Sequence, residues 1–448
     1  MKKFFIYPVF VFLFLCFIGM IGFGAIVKYH YDGGKNYNNL RETVIFLSSI
    51  PLRIRLMFNT GNINLDKPPY LKKHIKKERL KKFLPINRNA ILVLSRYDHN
   101  QNKGIVEIVD LKNFETIHAY NLDVTKFHKM IDSKRKIKNL ERDNSKIRFR
   151  YIHPLILNDG SLVSNSGNTP LFKIDICSKI QWIDYTMGHH HSKNLDHEGN
   201  IISIAYLKPW SKTVQKFNLK NFAEDAIIKT NPEGKIIYKK SIIEIMIDNK
   251  ILPENYPITS FKQKILNPVY VNDIEPVLTD GKYWKKGDMF ISIRNLSSIL
   301  HYRPKTNKVI NYIIGPFLQQ HDVDVISDKE ISIFNNNNFF INNEYSNIVV
   351  YNLETKKFKK IYDKQLKDNN FKTDTNGLSQ ILVDGSLMVE ETVHGRIILF
   401  NKNRQKEWEY VNKDIDGNIG RVFWSRIIED KLFIKRYKSL IKNKKCLN

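Results

Sequence analysis

From about residue 86 onward, short runs of alternating hydrophobic and polar residues recur along the chain, each introduced by a polar turn. The copies are Asn-Arg-Asn-Ala-Ile-Leu-Val-Leu-Ser (87–95), Asn-Asp-Gly-Ser-Leu-Val (158–163), Asp-His-Glu-Gly-Asn-Ile-Ile-Ser (196–203), Lys-Gly-Asp-Met-Phe-Ile-Ser (286–292), Ser-Asp-Lys-Glu-Ile-Ser-Ile (327–333), Val-Asp-Gly-Ser-Leu-Met-Val (383–389) and Glu-Asp-Lys-Leu-Phe-Ile (429–434). A period of two buries one face of a strand, and Asn, Asp and Gly supply the hairpin geometry. A second unit, strand–turn–strand, follows each of the first six copies, beginning near Asp110, Asp175, Asn231, Tyr302, Tyr351 and Phe400. Pairing the two units predicts an all-β fold, a six-bladed β-propeller of four-stranded blades. The seventh copy has no partner, so residues 421–437 are expected to complete a blade and remove an exposed edge. Residues 127–149 and 207–229 are expected to be blade insertions, and Asn335–Asn338 a tight polar loop.

The N-terminus breaks this pattern. Phe4 to Val27 contains no charged residue. It reaches the length of about 20 residues that a membrane-crossing helix needs. A cleaved signal peptide is the other reading, but Phe23-Gly24-Ala25 is a poor small-x-small cleavage site. The expected organisation is a signal-anchor helix over 1–28, a helical and basic linker over 29–85 that includes the amphipathic stretch Leu40–Leu47, and a propeller over 86–448. Lys2 and Lys3 favour a cytoplasmic N-terminus, whereas Lys28, Lys35 and Arg41 oppose it. The basic run 67–83 suits a solvated helix or linker, or contact with anionic head groups.

Composition changes this picture little. The hydrophobic fraction of 42% excludes global disorder, and 27 Phe and 21 Tyr suit strands with bulky half-buried faces. The net charge of +27 comes from scattered lysines rather than one recognition helix, so no nucleic-acid partner is expected. Apart from Cys16 in the anchor, only Cys177 and Cys446 are present, and a disulfide between them would need an oxidising compartment.

Polar residues recur when the blades are aligned. His153, His191 and His321 stand five or six residues before their turns, and in the fourth blade the matching region is Tyr270-Val271-Asn272-Asp273. A second polar set ends the following strand: Arg96, Asn165, Arg294, Asn335 and Glu390-Glu391. First strands of propeller blades line the central channel, so these residues are expected to meet at one mouth of it. Imidazoles with an arginine suit an anionic tetrahedral group, since arginine offers paired donors and neutral histidine can attack or move protons. Adjacent strand residues face opposite ways, so of His189-His190-His191 only the first and third could share a metal, and no metal is expected.

These segments resemble the arylsulfotransferase family, the sulfate-donor type that uses no nucleotide cofactor. The resemblance rests on His190-His191-Ser192 with Asp196-His197-Glu198-Gly199-Asn200, and on Asn267-Pro268-Val269-Tyr270-Val271-Asn272-Asp273 with Ile291-Ser292-Ile293-Arg294-Asn295-Leu296. It rests also on Gln320-His321-Asp322, and on Val389-Glu390-Glu391-Thr392 with Gly395-Arg396. It implies transfer of a sulfuryl group from an aryl sulfate to a phenol through a sulfated histidine, without a cofactor. His321 would be the nucleophile, Arg294 and His191 would act with it, and His190, Tyr270 and Asn295 would bind substrate. It also implies a six-bladed propeller in the periplasm, so that with the N-terminal helix the expectation is a single-pass inner-membrane protein. Tyr270 stands where the family usually has histidine, and a phenol is a poor base at neutral pH. That departure keeps open a propeller that binds an anionic ligand or a partner protein without catalysis.

Overall fold

The computed structural model describes residues 6–31, 71–131, 146–220, 222–262, 266–338 and 345–446. Antiparallel strands form five sheets. The first runs Arg426–Ile428, Ile91–Asp98, Lys103–Asp110, Glu115–Tyr120. The third runs Val271–Pro276, Met289–Ile293, Ser298–Arg303, Lys308–Ile314. The fourth runs Val323–Val325, Glu330–Asn335, Asn347–Asn352, Lys357–Ile361. The fifth orders Leu378–Ile381, Leu387–Glu391, Arg396–Phe400 and Lys406–Val411, with Leu80–Lys82 added at its outer edge. The second has seven strands, from Ile152–Ile156 to Ile236–Ser241.

The fold is thus all-β and propeller-like, but among the described residues the six separate blades expected from the repeats are not found: four sheets are discrete blades, and one further sheet is continuous. The cause is the 16-residue strand Ile180–Leu195, whose first part pairs with Thr169–Ile174 and whose last part pairs with Ile201–Tyr206. No loop separates its two halves, which meet at the left-handed His191, so both hairpins belong to one sheet.

Hydrophobic layers fill the joints between sheets. Ile91, Leu162 and Phe172 pack between the first and second sheets, and Ile204, Ile274 and Met289 between the second and third. Phe290, Val323 and Ile331 join the third to the fourth, Phe334 and Ile398 the fourth to the fifth, and Leu92, Ile397 and Trp408 the fifth to the first. The ring is closed by the strand Arg426–Ile428, which pairs with Ile91–Val93 within the expected closing segment. The segment that follows is not a strand. Asp430 accepts from the amides of Leu432 and Phe433 and caps the helix Lys431–Asn443, because an N-cap carboxylate favours helix over strand propagation. Ile434 and Tyr437 of this helix are buried, and Tyr437 hydrogen-bonds Tyr120 at 2.8 Å.

At their inner ends the sheets are tied by side chains that satisfy a neighbour's backbone. Asp225 accepts from the Val271 amide at 2.7 Å, Asp273 from Val323 at 3.0 Å, and Asp322 from Ser379 at 3.0 Å. Glu390 accepts from Trp424 and Ser425, both at 2.7 Å. Ser425 accepts from Ser95, Ser95 donates to the Tyr151 carbonyl, and His153 accepts from Lys193.

The N-terminal helix spans Ile6–Tyr31, and its side chains at 10–26 are exposed. Among the described residues no helix is long and apolar enough to cross a membrane. The expected membrane anchor is therefore not supported. The stretch Leu40–Leu47 lies outside the described residues. The basic run is not a helix from residue 71 onward. Lys73 and His74 meet Glu391 at 2.8 and 2.7 Å, and Lys77 bonds Glu409. Its cations thus neutralise carboxylates of the fifth sheet.

Cys177 and Cys446 form a disulfide with Cα atoms 5.5 Å apart, pinning the C-terminal helix to the second sheet. Cys446→Ser, or reduction of the wild type, is expected to lower the unfolding free energy by about 2–4 kcal/mol. Urea titrations with and without reductant measure it, and identical midpoints would contradict the pinning.

Candidate active site

Where the chain enters the inner strands, non-glycine residues adopt left-handed φ angles: His153 at 46°, His191 at 54°, Tyr270 at 50°, Gln319 at 52°, Asn376 at 57° and Trp424 at 63°. Such angles cost of order 1 kcal/mol each and persist only where the surroundings fix them. Here the inter-sheet hydrogen bonds do so. Four of these residues, His191, Tyr270, Asn376 and Trp424, line one cavity of about 210 Å³. His190, Arg150, Arg421 and Phe423 line it too.

The structure brings the expected residues together. The His191 ring lies 5.8 Å from that of His321 and 5.4 Å from that of Tyr270, and the Arg294 guanidinium lies 5.5 Å from the centre of the Tyr270 ring. Yet His321 is not in register with His153 and His191. It stands two residues beyond the left-handed Gln319, because its strand enters the sheet later. Its ring is buried beneath Asn376, and neither it nor Arg294 lines the cavity.

A hydrogen-bond chain sets the His321 tautomer. Asn336 donates its Nδ2 protons to the carbonyls of Thr373 and Asn376, at 2.9 and 2.7 Å. Its Oδ1 therefore faces His321 Nδ1, 2.7 Å away, and must accept. Nδ1 carries the proton and Nε2 the lone pair. The Asn376 amide donates to that lone pair at 2.8 Å. Burial, reinforced by the Arg294 charge, pushes the His321 pKa down to about 3. The ring is therefore neutral at physiological pH, with its lone pair on Nε2.

A second chain reaches the cavity. Asp225 Oδ1 lies 3.2 Å from His190 Nε2, which donates to it. His190 Nδ1 is then an acceptor, and His191 Nδ1, 2.7 Å away, must donate to it. This leaves the His191 Nε2 lone pair unprotonated. Burial and the neighbouring histidines and cations hold the His191 pKa well below the usual histidine range. The result is a carboxylate–imidazole–imidazole relay ending at the cavity.

Arg294 heads a short turn, Arg294–Leu296. It donates to Asn295 Oδ1 and Gln319 Oε1, each at 2.9 Å. Asn295 donates in turn to the Asn267 carbonyl at 2.8 Å. Asn295 therefore positions Arg294 by a fixed bond. Among the described residues Arg294 has no carboxylate partner, and burial lowers its pKa. A guanidinium without a counter-ion next to a neutral imidazole is suited to an anion.

The other expected residues lie elsewhere or serve the scaffold. His153 bonds the Lys193 amide and stacks edge-on against Trp424. Arg96 pairs with Glu107 and Asp98, at 2.6 and 3.0 Å. Asn165 donates to the carbonyls of Gly167 and His189, Asn335 accepts from the Leu318 amide, and Glu391 pairs with Arg396 at 2.6 Å. His189 is held by Asp184 and Ser203, and it is the adjacent His190 and His191, not the expected His189 and His191, whose rings meet, because the strand is irregular at the left-handed His191. Among the described residues no group of three or more metal-ligating side chains could hold an ion. Sequence reasoning missed Asp225, Asn336 and Asn376. Asn336 sat in the segment read as a polar loop, and nothing in its local pattern marks its contact with His321.

A family model for arylsulfotransferase (ASST) matches residues 153–413, more than half of the chain. The chain belongs to the arylsulfotransferase family. The matched stretch holds His190, His191, Tyr270, Arg294, Asn295 and His321, whereas Arg150, Arg421, Phe423 and Trp424 lie outside it. No curated protein matches this arylsulfotransferase family member. Among solved structures, a Bacteroides caccae protein of unknown function is 9% identical with a TM-score of 0.45, covering 77% of this chain and 100% of that one. Virginiamycin B lyase from Staphylococcus aureus is 10% identical with a TM-score of 0.38, covering 77% and 98%.

The His321 tautomer can be read directly. Nitrogen-15 chemical shifts should report Nδ1–H with an unprotonated Nε2, persisting on acidification to about pH 4. A folded pKa of about 3 against an ordinary 6.5 means that unfolding takes up a proton between those values. The contribution of His321 to stability therefore falls as pH falls through that window. A ring titrating near 6.5 would contradict the buried arrangement.

Proposed function

We propose that this protein transfers a sulfuryl group from an aryl sulfate to a phenolic acceptor through a sulfated His321. The observation that carries the reading is the neutral His321 ring, its lone pair on Nε2, beside the uncompensated Arg294. In the first half-reaction Nε2 attacks sulfur, the sulfur–oxygen bond to the aryl group breaks, and the phenolate leaves to be protonated by solvent. Arg294 stabilises charge on the sulfuryl oxygens. The Asn376 amide must first leave the lone pair, and a sulfate oxygen can accept it as attack proceeds. In the second half-reaction the acceptor oxygen attacks sulfur and the nitrogen–sulfur bond breaks. The phenol proton passes to His191 Nε2, then to solvent. The Asp225–His190–His191 relay thus supplies the base that Tyr270 cannot. The Cys177–Cys446 disulfide supports an oxidising location such as the periplasm.

The Asn376 cap on His321, together with Tyr270, favours a second reading: a propeller that binds an anion without turnover. Incubation with 4-nitrophenyl sulfate and phenol separates the two. Sulfuryl transfer is expected, with a peptide containing His321 one sulfuryl group heavier when the acceptor is withheld. His321→Asn should lower turnover at least ~1,000-fold, Arg294→Gln about 100- to 1,000-fold, and His191→Gln about 100-fold. Absence of both adduct and transfer in the wild type would sink the first reading and leave the second.

A further inference from the structure

The C-terminal helix carries charge that the fold does not use. From Lys431 to Cys446 there are seven cations and no acid, in a chain whose cations outnumber its acids only 72 to 45. Ile434 and Tyr437 of the helix Lys431–Asn443 are buried, and Phe433 and Ile441 pack beside them, so this side faces the first and second sheets. Lys431, Lys435, Lys438 and Lys442 recur at intervals of four, three and four, which sets them in one stripe on the other side. Lys431, Lys435, Arg436 and Lys442 are exposed, and among the described residues only Lys438 of the stripe has a salt-bridge partner, Asp110 at 2.6 Å. The two acids just ahead of the helix are engaged: Asp430 caps it, and Glu429 accepts from the Val383 amide at 2.9 Å. Like charges four residues apart destabilise a helix, so the stripe costs stability that a face of mixed sign would not.

The helix lies on the side of the ring remote from the mouth. The strand Ile152–Ile156 starts at the mouth with His153 and ends in the turn that holds Gly160. The Tyr120 hydroxyl donates to the Gly160 carbonyl and bonds Tyr437 of the helix. Ile156, Leu162 and Ile174 are in register, so Cys177, which follows Ile174 and is bonded to Cys446, lies on that side too. Leu432 and Val383 are 75% and 93% exposed. We propose that this face docks on an anionic membrane surface, with the cationic stripe against phosphate head groups and Leu432 in the interface, leaving the mouth open to solvent. Each Lys or Arg near an acidic lipid surface strengthens binding about fivefold. Two observations favour a membrane over a nucleic acid. The Cys177–Cys446 disulfide belongs to an oxidising compartment. A leucine exposed among cations is buried by lipid, whereas a sugar-phosphate backbone offers it only charge. The docking needs no sulfuryl transfer, so it stands or falls apart from that reading.

Vesicle co-sedimentation of the full-length protein tests this. One set of vesicles is phosphatidylcholine alone, and the other contains about 30% phosphatidylglycerol. The neutral vesicles register whatever the apolar N-terminal helix contributes, so the ratio of the two partition coefficients reports charge. The wild type should prefer the acidic vesicles roughly 500-fold, as four exposed cations allow. Salt at about 1 M, where charges are screened beyond about 3 Å, should abolish the preference. The combined variant Lys435→Gln, Arg436→Gln, Lys442→Gln should cut it about 100-fold, with the unfolding temperature unchanged or raised because all three side chains are exposed and of like charge. Leu432→Ser should weaken binding to acidic vesicles about threefold or more and leave binding to a DNA duplex unchanged. Equal partition of the wild type into the two vesicles, an unchanged preference in the triple variant, or tighter binding to the duplex than to acidic vesicles at the same salt would overturn the membrane assignment.

Discussion

The structure depends on how the inner edges of its sheets are satisfied. An edge strand carries backbone amides with no ladder partner, and buried amides without acceptors are costly. Here side chains from one sheet accept those amides from the next. Asp225, Asp273, Asp322 and Glu390 take four such positions, and Ser95, Ser425 and His153 complete the circuit. Each carboxylate bond contributes of order 2 kcal/mol, and removing one would strand a buried amide as well. The hydrophobic layers between sheets give most of the burial, but they do not fix register. The polar ring does, because each acceptor matches one amide.

That ring also creates the site. To present an amide to the neighbouring sheet, the chain must turn sharply as it enters an inner strand. It does so through left-handed residues whose side chains are then thrown towards the mouth. His191, Tyr270, Asn376 and Trp424 meet at one cavity for this reason rather than through local sequence. Below the mouth the same strands carry Asp273, Glu275, Asp322 and Asp324 around Arg426. Burial raises these carboxyl pKa values, Asp273 to about 6 and Asp324 to about 7, and repulsion from neighbouring carboxylates adds to it at Glu275, Asp322 and Asp324. One guanidinium shared among four acids is consistent with proton uptake by the cluster rather than full ionisation.

The strands were legible because period-two alternation and turn chemistry are local, and so was strand closure at 421–437. The fusion of two hairpins along Ile180–Leu195 was not, since no residue type distinguishes a long strand from two short ones with a weak turn. The helix after Asp430 was missed because its apolar residues Leu432, Phe433 and Ile434 also fit a strand, and only the cap decides. The apolar N-terminal stretch was rightly read as a helix, but the membrane span also read from it finds no support among the described residues. Of the site, His191, Tyr270, Arg294 and His321 were visible through family motifs. Asp225 and Asn336 were not, because each acts across many residues of sequence through one polar atom. His153 and His321 looked equivalent by spacing, whereas backbone geometry separates them by two positions.

The overlap between scaffold and site has a chemical consequence. Asp225 accepts the Val271 amide with one carboxylate oxygen and His190 with the other. The residue that joins the second and third sheets therefore also fixes the tautomer of the base. Asn336 likewise ties the carbonyls of Thr373 and Asn376 while fixing the His321 proton. A relay built this way needs no separate supporting shell, and the burial that makes the ring stable also lowers the pKa of its terminal imidazole, His191. The cost falls on Asn376. Its amide satisfies the His321 lone pair, and in the proposed transfer it would exchange that acceptor for a sulfuryl oxygen before Nε2 reacts. On the proposed reading, reactivity is thereby tied to occupancy by an anion, which would keep His321 covered until a substrate able to replace the cap has entered.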